Sequence, residues 1–296
     1  MDNIPKSYKY LEDLCKSQDR YSLLCENLKR LGVEFLTMQL GDAKNILCKF
    51  YSPESPRKTY IKVLAAHYDT VDGVVGANDN LASVAQLLYL AEKLRKQGYG
   101  DSVAIAFLDK EELMGKRNLR DSGSYKLGAA LKRRGINSSL FFTFDVCGNG
   151  DTIIISKATE GLLFDAIKMK KINERLGRRL VHNITLLKRH VYTYLDNSGF
   201  QYMPLMTPGS DDLSLNLNGI PAALISVLPQ EEAFRVKVNL VQGKEDPNYP
   251  NTWRKINGVE DTIETVSIET MKEIEEFMQG FYKINIPMEY LRDENG

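Results

Sequence analysis

The sequence predicts an α/β/α sandwich built on a mixed, largely parallel central sheet. Short runs such as IKVLAAH, VAIAFLD and SLFFTF are apolar at nearly every position, as strands covered on both faces must be. They alternate with amphipathic stretches of helical period, the pattern of parallel strands joined by crossover helices. Hydrophobic residues make up 43% and charged residues 26%, enough for one sizeable core. The 296 residues are therefore expected to form a single domain, 1–296.

Residues 8–31 read as one helix, with Tyr10, Leu11, Leu14, Leu23, Leu24, Leu28 and Leu31 at helical spacing and Gly32 as its stop. Two strands, 33–39 and 45–51, flank the turn-like GDAK. A buried strand at 60–70 leads to an amphipathic helix at 81–97 that Gly98 ends. A strand at 101–109, a helix at 124–135 and strands at 139–148 and 151–157 follow. Residues 160–178 look helical and basic, and 219–227 reads as a further strand. Residues 229–262 are rich in Lys, Glu, Asn and Pro and carry no clear period. They are expected to form a long surface excursion of the kind that often serves function. The last helix, 267–283, lines up Ile268, Met271, Ile274, Phe277, Met278 and Phe281.

Lys plus Arg equals Asp plus Glu at 39 each. A protein devoted to neutralising phosphates needs a basic surplus, so no nucleic-acid partner is expected. No apolar run approaches the roughly 18 residues of a membrane span, and the charged N-terminus has no apolar core of a secretory leader. Cys15, Cys25, Cys48 and Cys147 form no CxxC pair and read as reduced thiols. Together these features point to a cytoplasmic protein with no membrane partner, its oligomeric state left open.

In an open α/β sheet, ligands collect outside the carboxyl ends of the strands. The polar residues that follow the apolar runs are His67-Tyr68-Asp69, Glu111-Glu112 and Asp145, and Asp79 opens the helix at 81. Taken singly each has an ordinary explanation: a core histidine, a helix cap, an acidic pair. Taken together they place one imidazole and several carboxylates on one sheet edge. Without a cation such a set repels itself and is costly to desolvate. A His-plus-carboxylate set lacking thiolate suits zinc, cobalt or manganese.

These residues also carry a resemblance. His67-Tyr68-Asp69-Thr70, Gly76-Ala77-Asn78-Asp79-Asn80, Phe107-Leu108-Asp109-Lys110-Glu111-Glu112 and Phe144-Asp145 resemble the motifs of the M28 family of zinc aminopeptidases. Ser210-Asp211-Asp212 with Gly219-Ile220-Pro221, and Glu260-Asp261-Thr262, are similar to its later segments. The resemblance implies a di-zinc exopeptidase fold and hydrolysis of peptide substrates from the N-terminus. It implies one metal held by His67, Asp79 and Asp145, and a second sharing Asp79 and adding Glu112 and a late histidine. Asp69 would orient His67 from behind, and Glu111 would be the general base.

The pattern breaks at the late histidine. NGVEDT (257–262) places Asn257 where the family has histidine, so the second metal would take an amide oxygen, a weaker donor. One or two zinc ions are expected, the second held weakly. His182 and His190 sit in no motif that makes either the replacement. A basic loop, KRNLRD (116–121), follows the Glu111-Glu112 pair and reads as a solvated surface run. Metallo-aminopeptidase is therefore the leading expectation. The alternative is a catalytically impaired relative that binds a peptide or protein in the old cleft. A glutaminyl cyclase reading is weaker, because the cyclases keep the late histidine and dispense with the first.

Overall fold

The protein is described from a computed structural model over residues 4–50, 59–98, 102–112, 118–136, 138–242 and 250–287. Eight strands form one sheet: β1 (Phe35–Leu40), β2 (Ala43–Lys49), β3 (Ile61–His67), β4 (Val103–Leu108), β5 (Ser139–Phe144), β6 (Thr152–Ser156), β7 (Tyr202–Leu205) and β8 (Ala222–Leu228). Their order is β1-β2-β4-β3-β5-β8-β6-β7. The centre, β4-β3-β5-β8, is parallel, and antiparallel partners appear toward both sides. The mixed, largely parallel α/β architecture expected from the sequence is the one observed.

Residue alternation explains the layers. On β3, Leu64 and Ala66 face one core while Ile61, Val63 and Ala65 face another; β4 splits likewise into Ile105 and Phe107 against Ala104 and Ala106. The first face is covered by α1 (Lys6–Lys16), α2 (Arg20–Arg30), α3 (Ala82–Gln97), α6 (Glu174–Ser198) and α10 (Ile268–Phe281), which supply Leu11, Leu28, Leu88, Leu187 and Phe277. The second face is covered by α4 (Gly123–Arg133) and α7 (Asp211–Leu217), through Leu127 and Leu215. Packing aromatics tie α10 to the sheet: the rings of Phe142 and Phe281 meet edge to face at 4.7 Å.

Four expectations need correction. The helix at 8–31 is two helices, because Asp19 accepts a hydrogen bond from the Ser22 amide and starts α2 anew. The helix at 160–178 is α5 (Ala158–Lys168) followed by the 25-residue α6, which Asn173 caps. Leu180, Ile184, Leu187, Val191 and Leu195 form its buried stripe, a period continuing past residue 178. The described residues of 229–262 include two helices, α8 (Gln230–Gln242), which lies over β6 and β7, and α9 (Asn251–Lys255), whose Trp253 joins the same small core. β7 was absent from the expectations; four residues including Pro204 leave almost no strand signal. Residues 113–117 of the basic-loop region lie outside the described residues, and 119–121 form a single capped turn.

Candidate active site

The site follows from strand register. β4, β3 and β5 are parallel neighbours, so their carboxyl ends share one edge. His67 pairs with Leu108, and Ala65 with Thr143, which brings Asp145 level with His67 two residues on. The connection from β3 to α3 supplies Asp79. Gly76 makes its turn possible: at φ +67° a Cβ there would sit 2.3 Å from the Thr70 side chain and 2.5 Å from the Asp79 carbonyl.

His67, 1% exposed, lies at the centre. Its Nε2 is 3.3 Å from Asp79 Oδ1 and 3.4 Å from Asp145 Oδ1. Two groups of ligand-competent atoms share it: His67 with Asp79 and Asp145, and His67 with Glu111 and Glu112. The structure thus brings His67, Asp79, Glu111, Glu112 and Asp145 together. Asp69 lies 3.6 Å from His67 Nδ1, which is closer to the Asp69 main-chain oxygen, at 3.1 Å. The Asp69 carboxylate instead accepts the amides of Glu111 and Glu112, each at 3.0 Å. It therefore aims the acidic pair as much as the imidazole.

Asn257 reaches the site from the far side of the chain, at φ +61°, a conformation asparagine tolerates better than most residues. With its amide nitrogen turned to Glu112 it donates to both carboxylate oxygens, at 3.0 and 2.5 Å. With its oxygen turned there, acceptor meets acceptor, an arrangement that calls for a cation beside them. His182 and His190 are not replacements. Both lie on α6, and His190 stands near Lys62 at the amino end of β3, away from His67 at its carboxyl end.

Electrostatics test whether a metal fits. Burial pushes Asp79 up to about 6, with the charge of Asp145 adding to it. Desolvation by the surrounding protein, then the charge of Asp79, pushes Glu112 up to about 8. Desolvation lifts Glu111 well above the ordinary carboxylate range. Burial alone would favour a neutral His67, but its contacts with Asp145, Asp69 and Asp79 outweigh it and raise its pKa strongly. Burial works against ionised Asp145 too, yet His67 holds it below its usual value. Too many carboxylates thus compete for one imidazolium. His67 Nε2 and Asp145 Oδ1 are buried without a hydrogen-bond partner. Orphaned atoms of this kind, facing one point, suit a divalent cation with nitrogen and oxygen ligands.

Sequence reasoning gave no role to several residues that shape the site. Asp261 accepts the amides of Asn78, at 2.7 Å, and Asp79, at 3.0 Å, and so sets the Asp79 backbone. Asn78 Oδ1 accepts the Gly148 amide at 2.7 Å, and Asn80 donates to the Phe144 carbonyl at 2.7 Å, clamping that segment to the end of β5. Asp211 is 2% exposed and burial pushes it up to about 7 beside the cluster. Only the short motifs containing Asp211 and Asp261 hinted at them. Val146, Leu224, Trp253 and Ile256 wall a narrow cleft over the acidic cluster.

The model of peptidase family M28 matches residues 45–281. Among solved structures, the LapA aminopeptidase of Legionella pneumophila superposes with a TM-score of 0.64 at 14% identity, over 94% of this chain and 70% of that one. A glutaminyl cyclase of Bacteroides thetaiotaomicron superposes with a TM-score of 0.63 at 19% identity, over 95% and 100%. BSAP, a zinc aminopeptidase from Bacillus subtilis, gives a TM-score of 0.55 at 19% identity, over 83% and 51%, so this chain spans about half of its length. No curated protein matches the sequence.

Proposed function

The chain belongs to peptidase family M28, and from that premise we propose that it is a zinc-dependent aminopeptidase with Glu111 as its general base. The observation that carries this reading is the central His67, whose buried, unpartnered Nε2 faces two carboxylate oxygens while Glu111 and Glu112 close the same cluster. His67, Asp79 and Asp145 would hold one ion; Asp79, Glu112 and Asn257 would hold a second, more weakly. A metal ion held there supplies a polarised carbonyl and a water whose pKa falls to about 7.

The chain's own residues do the rest. Glu111, its amide held by Asp69, takes the proton of the attacking water and returns one to the leaving amine. A carboxylate whose pKa is raised by its surroundings is suited to both halves of that transfer. The walls of Val146, Leu224 and Trp253 exclude water and receive an apolar side chain. Glu111→Gln preserves shape and removes the base. Hydrolysis of an aminoacyl amide by the zinc-loaded protein is expected to fall roughly 100- to 10,000-fold, with zinc content unchanged. A variant as active as the parent would sink the assignment.

One observation favours a second reading. The Asn257 amide satisfies Glu112 without any cation, as a relative that binds a peptide without cleaving it would require. Such a protein would bind unlabelled peptide yet hydrolyse no aminoacyl amide at saturating zinc. Cyclisation of an N-terminal glutamine, assayed alongside, separates the cyclase reading from both.

A further inference from the structure

A second cavity, of about 790 Å³, lies outside the catalytic cleft between α5, α6 and the edge strand β7. We propose that it binds a small amphiphile with an apolar or aromatic body and a single carboxylate. This inference is independent of the peptidase reading.

The size is that of ligand sites, as is the balance of apolar wall to a few polar groups. Val181, Tyr192, Tyr202, Pro204 and Met206 supply apolar wall. The Tyr192 and Tyr202 rings lie side by side, 5.7 Å apart, and offer an aromatic surface. Phe164 stands at the mouth with 52% of its surface exposed, an aromatic that a bound apolar body would cover.

Charge selects the head group. Lys188 is 2% exposed, and its ammonium donates to the Ser156 carbonyl and to both Glu160 oxygens, at 2.7 and 2.6 Å. That uses all three of its protons and cancels the Glu160 charge. What remains unbalanced is Lys157, exposed at the rim and paired with no carboxylate among the described residues. Lys168, one turn along α5 from Phe164, adds a second exposed cation. The Tyr192 hydroxyl has no hydrogen-bond partner among the described residues and supplies a donor at the same wall. A carboxylate finds an ammonium and a hydroxyl there; an organic cation meets uncompensated positive charge.

The cavity adjoins the catalytic cleft without being part of it. Met206 lines the cavity, whereas Thr207, Pro208 and Gly209 line the cleft.

The test is calorimetric titration with decanoate and with decyltrimethylammonium, which share an apolar chain and differ in head-group charge. Decanoate is expected to bind once per chain, at least tenfold more tightly than the cation. Lys157→Glu is expected to weaken decanoate about three- to tenfold. Thr185→Trp fills the cavity from an exposed position on α6 and is expected to abolish binding while leaving the melting temperature and amide hydrolysis unchanged. Equal affinity for the two probes, or decanoate binding that survives Thr185→Trp, would overturn the proposal. Because the readout is binding, loss of peptidase activity in the parent protein has no bearing on the outcome.

Discussion

On the proposed reading, Asn257 would decide how many metal ions the site holds. An amide oxygen is a poorer zinc ligand than imidazole, and in this protein the amide has a competing use, since it can donate to both oxygens of Glu112. Zinc titration of the parent is expected to show one tight and one weak site, the tight one depending on His67. Asn257→His should tighten the second site by roughly tenfold or more and raise amide hydrolysis with it. A mutant with no gain in zinc would mean that position 257 does not face the ion. The residue was legible in the sequence only as a gap in a motif. Its contact with Glu112 required the chain to bring residues 112 and 257 together.

Elements hold those residues still. The turn from Gly76 to Asp79 is buried, so its amides need protein acceptors, and Asp261 supplies two. Asp261→Ala leaves two buried donors unsatisfied, at a cost of about 1–3 kcal/mol each when no water replaces the carboxylate. Chemical denaturation should register that loss, and zinc affinity should fall with it because Asp79 loses its backbone anchor. At the other end of the fold, α1 docks on α3 through Glu92, which accepts from Lys6 at 2.6 Å, Tyr10 at 2.9 Å and Lys96 at 2.8 Å. Burial alone would raise the Glu92 pKa, but these donors outweigh it and hold it at about 2. A carboxylate depressed in the folded state stabilises it above the unfolded pKa, near 4.5, and that contribution fades as pH falls through about 2. Allowing for the exposure of both lysines, roughly 1–2 kcal/mol should vanish across this window, and Glu92→Gln should remove that part of the acid sensitivity.

A metal ion held at the proposed site would be felt by the whole molecule through linkage. A ligand that binds only the folded state adds about 2.7 kcal/mol at a concentration 100 times its dissociation constant. For a domain of this size that corresponds to a rise of roughly 4 °C in melting temperature. Zinc should therefore raise thermal stability and a chelator should reverse the gain. Asp79→Asn, at the residue assigned to both ions in the proposed reading, should abolish the difference. An unchanged melting temperature in zinc would argue against any resident ion. Among the described residues no helix is long and apolar enough to cross a membrane.

Much of this was determined by the sequence alone. Fully apolar strands specify a sheet covered on both faces, and the polar residues that terminate them must emerge at its edge, so His67, Glu111, Glu112 and Asp145 were legible as a cluster. Local patterns of this kind need only the period of the strand and the direction of the chain. Tertiary structure decided what depends on distant partners. The break of the helix at 8–31 is an exception, a local cap in which Asp19 accepts an amide three residues on. Residues 230–242 are helical although their polar composition showed no stripe, since α8 rests only lightly on β6 and β7 and buries Ala233 alone. Asp69 proved to hold the Glu111 and Glu112 amides, Asp261 to hold Asp79, and Lys188 to lie buried against Glu160. Hydrogen bonds between residues far apart in the chain leave no periodic trace, and only the folded geometry reveals them.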